Sequence, residues 1–164
     1  MKTNRISKLV IFTLISMWSL SSFSQNQYIE FSLKCKVKVD YSDHTGFRKV
    51  DITEVVVEVN EYPKHKSIFL KSANEFANNI SISVPPPPPR NGSEIKSYDS
   101  SDENKYELTS NSTTSRNTST SSMIYINRNN GEIIVTSEFL LGKGMSQTSV
   151  GGICEKIDKT KKKF

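Results

Sequence analysis

The chain has 164 residues, 22 Lys and Arg against 17 Asp and Glu, two histidines and two cysteines. A length of this order supports one modest hydrophobic core. His44 and His65 have no partner at the spacing of a metal-ligand set, so no metal or cofactor is expected. Much of the basic excess sits at the two ends, so the charge is no sign of a nucleic-acid-binding face.

Residues 1–24 have the layout of an export leader: Lys2, Arg5 and Lys8, an apolar run from Leu9 to Leu20, then Ser22 and Ser24 two apart. The apolar run is about a dozen residues where a bilayer span needs about 20, so a cleaved signal is expected, with Gln25 as the new N-terminus and no stable membrane insertion afterwards. No cysteine closes the run, which argues against a lipid anchor. Removing the leader leaves 19 basic against 17 acidic residues, and four of those lysines are Lys159, Lys161, Lys162 and Lys163 in a tail (159–164) read as solvated.

The first part of the mature domain (25–84) begins with a strand over Tyr28 to Tyr41. Phe31, Leu33, Cys35, Val37 and Val39 share one face, and Lys34, Lys36 and Lys38 the other. Ser42 to Gly46 has turn composition, and a second strand follows from about Lys49 to Asn60. Folding the pair about Gly46 sets Val57 against Cys35 and Val55 against Val37, with Lys34 meeting Glu58 and Lys38 meeting Glu54 outside. A short third strand is expected over Ser67 to Ser72, one or two helical turns over Ser72 to Asn79, and a fourth strand at Ile80 to Val84 that Pro85 stops.

Pro85 to Pro89 cannot donate to a sheet and predicts a polyproline spacer. From Arg90 to Ser122 the composition is Ser, Thr, Asn and charge with almost no aliphatic residue, which predicts a long disordered excursion, so that 85–122 forms a mobile insertion. A weak edge strand is allowed at Lys105 to Leu108. Asn-x-Ser/Thr sequons stand at Asn79, Asn91, Asn111 and Asn117, the last three on that loop.

The second part of the domain (123–158) opens with the clearest hairpin in the chain, Met123 to Phe139. Ile124 and Ile126 alternate on one arm, Ile134 and Thr136 on the other, around Asn129-Asn130-Gly131. A two-residue turn on Asn130-Gly131 competes with a three-residue loop. The three-residue register is preferred because it sets Ile126 against Ile134 and Arg128 against Glu132. Leu140 to Gly152 holds four glycines and predicts a flexible turn, followed by a last strand from Gly151 to Ile157. Cys35 and Cys154 are expected to form a disulfide, closing a loop that would contribute about 4–5 kcal/mol. Alternation puts Ile153 and Ile157 on one side of the last strand and Cys154 on the other, in tension with that bridge unless a bulge forms at Gly151-Gly152.

No catalytic set is found. Neither a Gly-x-Ser-x-Gly element nor an activated cysteine occurs, Glu54 and Glu58 look like lysine partners, and Gly142-Lys143-Gly144 lacks the frame of a phosphate cradle.

Ile126 to Gly131 (I-N-R-N-N-G), followed by Gly152 to Ile157 (G-I-C-E-K-I) and preceded by a cysteine in the first strand, resembles the ending of short exported bacterial proteins of unknown function. That resemblance implies an all-β exported domain and no activity. The expected fold is all-β, a small antiparallel sandwich or open barrel with a long disordered insertion. The expected role is a non-enzymatic binding or inhibitory module of the cell envelope, periplasmic or extracellular, whose partner is an envelope protein or glycan and not a nucleic acid. The alternative is a surface or matrix structural protein with a Ser/Thr/Asn-rich spacer.

Overall fold

A computed structural model describes residues 29–89, 92–114 and 118–156. The expected leader (1–24), the sequons at Asn91 and Asn117, and the tail 159–164 lie outside the described residues. Nine strands follow one another: β1 Ile29–Asp43, β2 Arg48–Tyr62, β3 His65–Ser72, β4 Ser81–Val84, β5 Glu94–Asp99, β6 Lys105–Thr113, β7 Thr118–Asn127, β8 Glu132–Leu141 and β9 Gly144–Lys156.

All neighbours pair antiparallel in one sheet, in the order β4-β3-β2-β1-β9-β8-β7-β6-β5. Two meanders, β1 to β4 and β5 to β9, are fused where the last strand returns to the first. The sheet curls until its ends meet: Lys66 of β3 reaches Asp99 of β5 at 2.9 Å, and the Phe31 and Tyr106 rings lie 5.8 Å apart. The fold is therefore all-β and a nearly closed barrel, the second of the two expected architectures. Its stagger follows from the pairing. Lys66 stands opposite Glu61 and so level with Ile29, whereas Asp99 is level with Val39 across β6, β7, β8 and β9. The edges meet about ten residues out of step, a tilt of the kind that closing a sheet demands.

The interior is the inward row of each strand. Leu33, Cys35, Val37 and Val39 are buried while Lys34, Lys36 and Lys38 are exposed. They meet Val55, Val57, Val59, Ile68, Leu70, Ile82, Leu108, Ile124, Ile133, Val135 and Val150 in one cluster.

Four expectations are corrected. First, β1 and β2 pair with Leu33 opposite Val57 and Cys35 opposite Val55, two residues from the expected register. An even slip keeps every side chain on its face. The turn decides it: the Asp43 carboxylate accepts the Thr45 N–H (2.9 Å), the Thr45 hydroxyl (2.6 Å) and the Phe47 N–H (3.2 Å). This closes the loop His44-Thr45-Gly46, with Gly46 at φ 84°, so the fold is centred on Thr45. Lys34 consequently pairs with Glu54 (2.9 Å), Lys38 faces Ile52, and Glu58 receives Lys71 (2.8 Å).

Second, residues 73–79 make turns rather than a helix. The buried Asn74 competes for the backbone: its carboxamide oxygen accepts the Phe76 N–H (2.9 Å), and its nitrogen donates to Asp51 (2.9 Å). Phe76 stacks on Tyr41 at 4.1 Å, and Ala77 is buried.

Third, the described residues of the expected disordered excursion, 92–114 and 118–122, hold β5, β6 and the first half of β7, and Asn111 lies on β6, not on a loop. The composition argument fails because these strands borrow their core contacts: Tyr106 and Leu108 carry the buried row of β6, while Ser97–Ser110 and Ser122–Ser137 hydroxyl pairs join β5 to β6 and β7 to β8. The spacer reading loses its spacer with them. Fourth, the glycine-rich stretch is two long strands around Gly142-Lys143, with Gly142 at φ 59° in the first position of the turn.

Candidate functional site

A cavity with a volume of about 510 Å³ opens at the end of the barrel where β1 begins and β9 ends. Its floor is apolar: Ile29, Phe31 and Leu33 from β1, Ile126 from β7, and the Cys154 half of the disulfide. Its rim is polar, formed by Asn127 through Gly131, Tyr106 and Lys156.

The β7–β8 loop builds that rim. The strands pair with Ile126 opposite Ile133 and Tyr125 opposite Ile134, so the loop has four residues, Arg128 to Gly131, and neither expected turn forms. Asn127 imposes it, because its side-chain oxygen accepts the N–H groups of Asn129 (2.9 Å) and Asn130 (3.3 Å) and its carbonyl accepts that of Gly131 (3.0 Å). An odd slip exchanges faces. Ile133 and Val135 go into the core, and Ile134, expected inside, is on the outer surface.

Gly131 then lies against β9. Its carbonyl accepts the Cys154 N–H at 2.8 Å, and at φ 74° a Cβ there would sit 2.4 Å from the Cys154 oxygen. With the Cys154 N–H directed at β8, Cys154 faces Cys35 as a non-hydrogen-bonded pair, where antiparallel strands approach most closely. The two are joined by a disulfide across a Cα separation of 3.9 Å. The tension in the last strand is settled without a bulge: Cys154 is inside, Ile153 outside, and the pairing of β9 with both neighbours is unbroken. Asn129, Asn130, Gly131 and Cys154 thus meet at one cleft, whereas Cys35, further along β1, is not part of its lining.

Arg128 does not pair with Glu132. Its N–H donates to the Asn104 carbonyl (2.8 Å), and its guanidinium lies 4.4 Å from the Tyr106 ring centroid. It donates further to the Tyr106 hydroxyl (2.9 Å) and the Asp102 carbonyl (3.0 Å). Tyr106 in turn donates to Glu61 (3.4 Å), and Glu61 with Asp99 holds Lys66 at 3.2 and 2.9 Å. Burial pushes the Tyr106 phenol up, opposed by Arg128. Burial disfavours the Lys66 charge, but the hydrogen bonds it donates to Asp99 and Glu61 outweigh this and hold the ammonium above its ordinary range. For Asp99, burial is likewise outweighed by hydrogen bonds from Ser101 and Lys66, and its carboxyl lies below the ordinary range.

Sequence reasoning missed Tyr106, Lys66, Asp99 and the part played by Arg128, because they come together only when the sheet closes. The Tyr106, Leu108 alternation was the available signal. The arrangement fits recognition of an anionic group on an apolar body: two cations, Arg128 and Lys156, stand on the lining with no carboxylate among its residues. Arg128 is anchored by neutral acceptors, and among the described residues it makes no ion pair.

The disulfide is compatible with a secreted or extracellular setting. No helix of the described residues is long and apolar enough to cross a membrane. Compared with known proteins, the chain matches no family model, no curated sequence and no solved structure.

Proposed function

We propose that this chain is a non-enzymatic binding module of an exported compartment, periplasmic or extracellular, and that the end cleft receives a ligand with an apolar body and an anionic group. The observation that carries this reading is the anchored guanidinium of Arg128, without an ion pair among the described residues, in one cavity lining with Ile29, Phe31, Leu33 and Ile126. A volume of about 510 Å³ at a barrel mouth is in the range of small-molecule sites and also suits the apolar end of a peptide or lipid. Both cysteines are bonded, His44 stands in the β1–β2 turn against Gly144, and His65 opens β3 beside Tyr62, an arrangement that favours binding over catalysis. The leader and the resemblance to exported bacterial domains belong with the same reading.

The test is an amide-proton NMR titration with octanoate, octanol and octylammonium, which share a body and differ in head group. Octanoate should shift the Gly131 and Ile126 amides saturably, and Arg128→Gln with Lys156→Gln should weaken it about tenfold. Equal shifts from octylammonium, or no saturable shift from any of the three, would remove the proposal.

A further inference from the structure

The opposite end of the barrel carries a second feature that the cleft does not use. The β8–β9 hairpin ends in Phe139, Leu140 and Leu141, the turn Gly142-Lys143, then Gly144 and Met145. The four large apolar side chains are exposed by 42%, 40%, 59% and 50% respectively. Strand alternation puts Phe139 and Leu141 on the concave side with Val135, and Leu140 and Met145 on the convex side. The tip is therefore apolar on both faces. The β1–β2 turn lies beside it, because the His44 ring is 3.0 Å from where a Cβ on Gly144 would stand, and it adds Phe47, half exposed.

We infer that this tip is a wedge for a lipid surface, entering the headgroup and upper acyl region of a bilayer from the compartment in which the barrel resides. Two-sidedness selects the occupant. A surface shaped for a folded partner needs one apolar face, whereas a hairpin surrounded by lipid is wetted on both. The dimensions agree: three residues of strand extend about 10 Å, and interfacial elements bury about 5–10 Å. The strand positions flanking the tip at the same level are polar, with Ser119 opposite Leu140, Thr120 opposite Phe139 and Ser146 opposite Phe139 on the other side, hydroxyls suited to headgroups beside the apolar side chains.

The charges around the tip are mixed: Arg48 is paired with Asp40 (2.5 Å), Lys49 with Glu75 (3.4 Å), and the Asp43 carboxylate keeps its charge while accepting three neutral donors of its own turn. Lys143 at the apex makes no ion pair among the described residues. Its stem can lie along the apolar tip while its ammonium meets a lipid phosphate. The contact is shallow and peripheral, not a span.

The experiment uses the chain from Gln25, as it stands once the expected leader is removed, with large vesicles of phosphatidylcholine and phosphatidylglycerol. Trp18, the single tryptophan, leaves with residues 1–24, so reporters are placed by Leu141→Trp at the tip and Ile52→Trp on the barrel wall. Leu141→Trp emission should shift to the blue on vesicles and be quenched by brominated acyl chains, while Ile52→Trp stays as in buffer. Leu140→Asn with Leu141→Asn, both exposed and tolerable to the fold, should weaken vesicle association about tenfold. Quenching equal at both reporters, or association unchanged by the double substitution, would overturn the wedge. A blue shift that follows protein concentration without lipid would assign the tip to a second copy and overturn it too.

Discussion

Lys66 on β3 holds Asp99 on β5 at 2.9 Å, an ion pair between strands that stand near opposite ends of the hydrogen-bonded order of the sheet. Closure of the barrel at this seam is carried by side chains: Lys66, Glu61, Asp99, Tyr106 and Arg128 link the first meander to the second. Lys66 is only 12% exposed, so its removal would leave two partly covered carboxylates facing each other. Lys66→Met should lower unfolding free energy by about 1–3 kcal/mol, read from the urea midpoint at neutral pH. A change within error would show that the seam contributes nothing.

The same pair sets a pH dependence. The folded-state pKa of Asp99 lies below its ordinary value, so its contribution is present above the unfolded carboxylate value of about 3.9 and is lost as pH falls through the lowered value. Lys66 is raised, so its share is present below about 10.4 and fades as pH rises through the raised value. Asp99→Asn should flatten the acid limb of the stability profile, and an unchanged limb would assign that limb to other carboxylates.

Gly151 and Gly152 are neighbours with opposite tolerance. A Cβ on Gly152 would stand 2.1 Å from the Lys36 carbonyl oxygen and 2.8 Å from the Val37 Cα, whereas one on Gly151 meets nothing within 4 Å. Gly152→Ala should cost at least about 2 kcal/mol, because two backbones must separate beside the disulfide, and Gly151→Ala should be within about 0.5 kcal/mol of the parent. Thermal melts of the two variants decide it.

The four-residue β7–β8 loop makes its own prediction at adjacent isoleucines. Ile133→Ala removes a fully buried side chain and should cost about 2–5 kcal/mol. Ile134→Ala, on the outer wall, should cost under about 1 kcal/mol. The reverse order would restore the three-residue loop.

Cys35 and Cys154 close a separation of 119 residues. Cys35→Ser with Cys154→Ser should lower stability by up to about 4–5 kcal/mol, since the bridge limits the unfolded chain. Thiol titration of the denatured parent without reductant should find no reactive group.

The amino-acid sequence by itself determined the strand class, the faces of β1 and β2, the inward course of Cys35 with its pairing to Cys154, the stop at Pro85 and the existence of a hairpin around Asn129-Asn130-Gly131. These follow from period-two alternation and from turn chemistry, both local. Only the tertiary structure decided the registers, because alternation is blind to an even slip, as at Leu33 and Val57, and because Ile133-Ile134-Val135 offers an apolar residue to either face. There the Asn127 carboxamide chose. The cleft was half legible: its Asn-Asn-Gly rim is written in the chain, but its Tyr106 and Arg128 are not. They acquire a common purpose only when residues forty or more positions apart in the chain, Glu61 of β2 and Tyr106 of β6, meet through their side chains as the sheet curls round. The Ser/Thr-rich strands are the same lesson in reverse, since residues too polar to build a core alone fold once flanking strands supply one.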